Sequence, residues 1–239
     1  MHKAGTIAFL LFGAAVIGGV TFFASNTRNQ FDDLQGWVAT EGLTFERPGE
    51  RSSYRISGED WSVEAIPGDT LAPPSLAAKP MTLWRAAQAP STHAFILTPH
   101  LPSGVYTNIE HRSQNQERVF HYILGDEARH FSSLSQTELP PALRDTFTLF
   151  SEGPTPLSPF DQPDFVAELL ALRERLGHSP ILVAGPKGLS IRAQTMIFGP
   201  ETLRQVIHLG QSMRPLVKPA GTAPEATLPT IPPQSKKKS

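Results

Sequence analysis

The chain has 239 residues, with 21 Lys and Arg against 22 Asp and Glu, and it contains no Cys. Its formal charge of −1 argues against nucleic acid as a partner, because phosphate backbones are bound by a basic protein face. Without Cys the chain has no thiolate nucleophile, no Cys-ligated iron–sulfur cluster and no covalently attached c-type haem.

The N-terminus carries a long apolar stretch, residues 5–24, which contains no charged side chain. At about 1.5 Å of rise per residue, a helix of this length spans the hydrocarbon core of a bilayer. A cleaved signal peptide is the alternative, but a cut after Ala24 or Ser25 puts Phe where a small residue is required. The sequence therefore predicts a retained single-pass signal anchor that follows a short flank at residues 1–4.

The charges beside this stretch predict its orientation. Lys3 precedes it, whereas Arg28 is followed by Asp32 and Asp33. Because Lys and Arg near a membrane span prefer the cytoplasmic side, we expect a cytoplasmic N-terminus. The usage of Ala, Pro and Arg suggests a bacterial chain, so the body is expected in the periplasm, tethered to the lipid bilayer of the inner membrane.

Small residues recur at a spacing of four in the predicted anchor, in the pairs Ala14/Gly18 and Ala15/Gly19. Such residues let two helices approach closely in a membrane. They predict a helix-packing face toward other membrane protein subunits. The alternative is chance, since Ala and Gly are common in membrane helices.

The periodicity of apolar residues changes after the anchor. One stripe of a juxtamembrane helix, predicted over residues 25–42 and ended by Gly42, is formed by Phe31, Leu34, Trp37 and Val38. A period of two follows: "YRISGEDWSVEAI" predicts a β-hairpin, and "MTLWRAA" and "HAFILT" predict two further strands. The Pro-rich segment between them, residues 67–80, is predicted to be a loop.

The stretch "RVFHYILGDEARHFSSL" is predicted to be a second hairpin that turns at its Gly-Asp pair. That register places His121 opposite His130, where two imidazoles can share a zinc ion and Glu110 or His111 can supply further ligands. A structural zinc site needs four ligands, however, and the spacing identifies two. Two strand histidines without a metal are the alternative.

The second half of the chain alternates strands and helices. "ELPPALRD" predicts one helical turn and "TFTLF" a strand. A longer helix starts with Asp161 as its cap and Pro163 in its first turn, and it ends at Gly177. "ILVAGPKGLSIRAQ" predicts a hairpin with "GPKG" as its turn, and a last helix starts at Pro200. The pattern predicts one soluble α+β domain over residues 43–214.

The C-terminal segment, residues 215–239, has no apolar period and is rich in Pro, Thr and Ala. Such a composition buries too little apolar surface to offset the entropy lost on ordering. We predict a disordered Pro-rich tail. Its final Lys run, residues 236–238, is expected to be solvated, since contact with anionic lipid usually needs a longer basic cluster.

None of the remaining motifs identifies an active site. Glu127-x-x-His130 occurs once, whereas di-iron carboxylate helices need two such motifs. "GPKG" lacks the Ser or Thr of a Walker loop, and there is no Gly-x-Ser-x-Gly elbow. The sequence therefore predicts no cofactor and favours a non-catalytic protein.

Three function classes follow from this sequence. The first is a single-pass, non-catalytic subunit or assembly factor of a membrane protein complex. The second is an extracytoplasmic binding module for a small ligand or an envelope polymer, in which Trp61 and Trp84 contact the ligand unless they pack in the core. The third is a membrane-tethered hydrolase with a dispersed active site.

Overall fold

A computed structural model of the protein describes the body of the chain, namely residues 30–49, 53–72, 74–87, 94–100, 113–131, 133–152 and 159–217. The predicted anchor with its four helix-packing residues, Glu110, His111 and residues 218–239 lie outside these ranges. Among the described helices, none combines the length and the apolar character that crossing a bilayer requires.

Nine strands within the described ranges form one sheet in which every pairing is antiparallel. They are β1 (Thr44–Glu46), β2 (Tyr54–Ser57), β3 (Trp61–Ile66), β4 (Met81–Ala86), β5 (Phe95–Pro99), β6 (Ser135–Thr137), β7 (Phe147–Ser151), β8 (Ile181–Gly185) and β9 (Gly188–Ala193). Their order across the sheet is β1-β2-β3-β4-β9-β8-β5-β7-β6. The α+β class predicted from the sequence is confirmed.

Helices pack on both sides of this sheet. They are α1 (residues 30–40), α2 (Ser113–Leu124), α3 (Pro141–Arg144), α4 (Pro163–Leu176) and α5 (Pro200–Leu216), with short 3-10 helices at Leu76–Ala78 and Gly125–His130. The order β7-α4-β8-β9-α5 confirms the pattern predicted for the second half of the chain.

The hairpin β8–β9 lies in the middle of the sheet, between β4 and β5. Its strands pair from Ile181 opposite Arg192 to Gly185 opposite Gly188, so that Pro186 and Lys187 form the turn. Gly188 has φ +94°, a conformation that favours glycine. The hairpin predicted from "GPKG" is therefore confirmed, and its turn lies at one end of the central strands.

The side of the sheet that carries Trp84 is here called the closed face. It is covered by α1, α3, α4 and α5. Side chains of these helices form one hydrophobic cluster with alternate residues of the strands. Gly210 of α5 allows this close packing, because a Cβ built at that position would lie 2.4 Å from Cε2 of the Trp84 ring. The hydroxyl of Tyr54 is also buried on this face and donates a hydrogen bond to the carbonyl of Ile197.

The opposite side, here called the divided face, is apolar at one end and charged at the other. The helix α2 covers its apolar end, where Phe120 meets Phe150 edge-to-face with ring centroids 5.1 Å apart. Beyond α2, the strands β4 and β9 present Arg85, Ser190 and Arg192 on this face, as their cross-strand register requires. The divided face therefore joins a small second core to a charged patch.

The hairpin predicted around the Gly-Asp pair of residues 125 and 126 is wrong. The chain forms α2 and then the 3-10 helix Gly125–His130, with no strand in this stretch. The buried residues Val119, Phe120, Ile123 and Leu124 recur at helical spacing and bury one side of α2, which a strand does not achieve. Gly125, with φ +63°, ends the α-helix instead of turning a hairpin.

Three smaller differences concern the ends of elements. The N-cap of α4 is Gln162 and not Asp161, and its side chain makes no cap hydrogen bond. The helix α5 extends to Leu216, past the predicted start of the tail at residue 215, and Val217 is buried. The edge strands β1 and β6 have three residues each and were not predicted, because so short a run shows no period.

Candidate functional site

Two arginines from neighbouring central strands lie side by side on the divided face. Arg85 of β4 is directly opposite Ser190 of β9, and Arg192 of β9 is opposite Leu83 of β4. Cross-strand partners point to the same side of a sheet, so these side chains form one patch. The fold thus brings a buried and a partly exposed guanidinium to the same place.

A single carboxylate bridges the two arginines. Oε1 of Glu127, on the 3-10 helix Gly125–His130, accepts a hydrogen bond from Nη2 of Arg85 at 3.0 Å, and Oε2 accepts one from Nη2 of Arg192. The side chain of Arg192 is 6% exposed, whereas that of Arg85 is 49% exposed. Glu127 therefore balances one charge, while the patch carries two.

The environment of Arg192 disfavours its charge. Burial lowers the pKa of its guanidinium, the carboxylate of Glu127 opposes that shift, and the nearby charge of Arg85 adds to it. In addition, the buried Nε of Arg192 has no hydrogen-bond partner among the described residues. A buried donor without a partner is costly, so the group has unused capacity to bind an acceptor.

A pocket of about 360 Å³ opens beside this patch. Its polar wall includes Arg85, Glu127 and Ser190, together with His130 at the end of the 3-10 helix and Lys187 in the β8–β9 turn. The volume is in the range of small-molecule sites. Cationic side chains therefore predominate around a cavity that can hold a small ligand.

The other wall of the pocket is apolar. Phe131 and Val183 line it, and both belong to the small core under α2. Leu189 also borders the pocket, but its side chain packs in the core of the closed face. Gly185 brings Phe131 close to the hairpin, because a Cβ at that glycine would lie 2.6 Å from Cζ of the ring. The pocket combines one positively charged side with one apolar side.

The histidines considered as zinc ligands are not paired by the fold. His121 lies on the exposed side of α2, with Nδ1 3.0 Å from the carbonyl oxygen of Gly125, while His130 lines the pocket. The strand register that predicted their proximity is replaced by helices. Within the described ranges, no group of three or more His, Asp or Glu side chains is placed to hold a metal ion.

The tryptophans considered as ligand contacts belong to the core of the closed face. Trp84 is fully buried there, and Trp61 is buried in the same cluster. The turn "GPKG", by contrast, was interpreted only as a turn, yet Lys187 and the adjoining residues line the pocket. One sequence signal indicates this site: Arg192 is a charged residue within a strand of the predicted hairpin, between the apolar residues Ile191 and Ala193.

Comparisons of this chain with protein-family models, with curated proteins and with solved structures found no match. The geometry and charge of the pocket are therefore the features from which its function is inferred.

Proposed function

We propose that the α+β domain is a binding module for a small anionic ligand, held in the pocket beside β4 and β9. The observation that carries this proposal is the pair of cations in the pocket wall, Arg85 and Lys187, with the buried Arg192 behind Glu127, whose one carboxylate serves both arginines. Attraction between opposite charges strengthens where water is excluded, so a partly enclosed group of cations favours an anion.

The apolar wall adds a second requirement for the ligand. Phe131 and Val183 offer contact surface to a hydrocarbon or aromatic body but no charge. Small-molecule sites commonly pair such surfaces with a few polar groups that fix the orientation of the ligand. The proposed ligand therefore carries an anionic group on an apolar body.

The test measures, by calorimetry, how tightly the full-length chain in detergent solution binds small aromatic anions. Arg85→Ala and Lys187→Ala are expected to weaken binding at least about tenfold each, because each removes a charged hydrogen-bond donor. The matched control is Arg55→Ala, since Arg55 lies on the same sheet face but pairs with Glu64 at 2.7 Å, outside the pocket. Equal affinity in all three variants, or no binding of any anion, would contradict the proposal.

We also propose that residues 5–24 are retained as a single-pass anchor and tether the domain on the periplasmic side of a bacterial inner membrane. The uncharged length of that segment and the position of Lys3 support this arrangement. Because the chain contains no Cys, one introduced thiol reports on orientation. Leu71→Cys, at a side chain 95% exposed, is expected to react with a membrane-impermeant maleimide in spheroplasts.

A second candidate function is favoured by the small residues of the anchor. The pairs Ala14/Gly18 and Ala15/Gly19 support a role as a non-catalytic subunit or assembly factor of a membrane protein complex. Replacing Gly18 and Gly19 together with Leu is expected to release co-purifying membrane subunits. The control replaces Val16 and Val20 with Leu, on the opposite side of an ideal helix, and unchanged co-purification in both variants would contradict this function.

A further inference from the structure

We infer that the anionic group of the ligand is a carboxylate, and that it binds by taking the place of Glu127 between Arg85 and Arg192. This inference rests on the proposed function, because it specifies the chemistry of the same pocket. Glu127 then acts as an internal counter-ion that occupies the two arginines until a ligand arrives.

The geometry of Glu127 is the first argument for a carboxylate. Its two oxygens bind different guanidinium groups, one from each of two adjacent strands. The arginines are therefore spaced to receive the two oxygens of one planar carboxylate, a group that guanidinium forks recognise well. A ligand carboxylate in the same position satisfies the same donors.

The segment that carries Glu127 is the second argument. Gly125–His130 is a 3-10 helix of six residues, none of them buried, and it begins at a glycine with φ +63°. Helices of this type have poorer hydrogen-bond geometry than α-helices and are uncommon at this length. Ala128 packs, partly buried, against the small core under α2, and the buried Phe131 fixes the end at which the segment rejoins that core.

The charges of Arg85 and Arg192 also favour an incoming anion. If Glu127 leaves, the buried Arg192 and its neighbour Arg85 face each other without a counter-ion, which is strongly unfavourable. An incoming carboxylate removes that penalty, so release of the internal carboxylate and binding of the external one are coupled. The apolar body of the ligand then lies along Phe131 and Val183, which line the adjoining wall.

The first experiment compares different head groups on similar aromatic bodies, using the full-length chain and calorimetry. The probes are phenylacetate, phenyl phosphate, benzyl alcohol and benzylamine. We expect phenylacetate to bind at least about tenfold more tightly than the alcohol, since each charge-assisted hydrogen bond is worth about a factor of ten. Tighter binding of phenyl phosphate than of phenylacetate would overturn the carboxylate inference and leave the anion-binding function in place. Binding of none of the probes would instead contradict the function.

The second experiment removes the internal carboxylate. Glu127→Gln keeps the shape of the side chain but loses its charge, so the ligand no longer has to displace a counter-ion. Phenylacetate is expected to bind this variant about tenfold more tightly than it binds the natural chain. Asp126→Asn is the matched control, because the adjacent residue loses the same charge. The side chain of Asp126 contacts Arg129 and not the pair Arg85 and Arg192. The affinity of this variant for phenylacetate is expected to be unchanged. Weaker or equal binding by Glu127→Gln overturns the inference, while loss of binding in Arg85→Ala still supports the function.

A third measurement needs no variant and covers the case in which Glu127→Gln does not fold. Hydrogen exchange is followed in the natural chain with and without saturating phenylacetate. Release of Glu127 is expected to speed exchange of the amides in Gly125–His130 relative to those of α2. Slower or unchanged exchange in that segment, with binding still detected, would overturn displacement and leave the binding function standing.

Discussion

The two faces of the sheet are built from the same strands and differ in what they are organised to do. Strand β9 directs Leu189, Ile191 and Ala193 into the core of the closed face, and Ser190 and Arg192 toward the divided face. The closed face is covered by four helices, whereas the divided face is covered by α2 at one end and carries the pocket at the other. The alternating residues of β9 therefore contribute to the stability of the core on one side of the sheet and to a charged site on the other.

The largest expected effect is on the closed face. Trp84→Ala removes a fully buried ring from its centre, and the free energy of unfolding measured with urea is expected to fall by about 3–5 kcal/mol. Trp37→Ala, at the half-buried edge of the same cluster, serves as the control and is expected to cost clearly less. An equal loss in both variants would contradict the assignment of Trp84 to the centre of the core.

The next largest effect is expected where α5 approaches the ring of Trp84. Gly210→Ala places a methyl group against Trp84, so we expect overpacking to lower the free energy of unfolding by about 1–3 kcal/mol. The control is Gly36→Ala on α1, where a Cβ meets no atom within 4 Å and the helix gains up to about 1 kcal/mol. Stabilisation in both variants would show that α5 lies farther from the sheet.

On the divided face we expect a substitution to weaken ligand binding without a large change in the free energy of unfolding. Arg192→Met removes a buried charge while Glu127 keeps its hydrogen bond with Arg85, so the free energy of unfolding is expected to change by less than about 1 kcal/mol. Binding of phenylacetate by the same variant, measured by calorimetry, is expected to fall at least about tenfold. A large loss of stability with retained binding would reverse the roles assigned to the two faces.

The smallest effect concerns an exposed ion pair at the border of the closed face. Hydrogen bonds from Arg204 and Trp37 lower the pKa of Glu41, with the Arg204 contribution the larger. A lowered pKa stabilises the folded chain above the ordinary value of 4.5, and that contribution is lost as the pH falls through the folded value. The melting temperature of Glu41→Gln is therefore expected to be slightly lower than that of the natural chain at neutral pH and equal to it in acid. A difference that persists in acid would contradict the ion pair.

Periodicity predicted most of the fold because the elements it found have one buried side. The strands β2 and β3 alternate, and α4 and α5 repeat their apolar residues at helical spacing, so each of these patterns has one interpretation. The error at α2 arose where "VFHYIL" and the Gly-Asp pair fit both a hairpin and a helix end. Packing of Phe120 and Ile123 on the sheet decides between them, and that packing depends on distant residues.

The site was less predictable than the fold because its residues are far apart in the chain. Glu127 is 42 residues from Arg85 and 65 residues from Arg192. They meet because β9 inserts beside β4, an order of strands that local patterns do not specify. Lys187 was found only as part of a turn, since the wall that it helps to form comes from three separate segments.

The central position of the hairpin β8–β9 has a consequence for the order in which the chain folds. Strands β1–β4 and β5–β7 are synthesised first, yet they belong to two sheet fragments that pair with each other only through this later hairpin. Until Ala193 has emerged, each fragment presents an open inner edge, a surface prone to pairing with the wrong strand. A nascent chain interrupted before Ile181 is therefore a substrate for chaperones or proteases, and completion of synthesis joins the two fragments into one sheet.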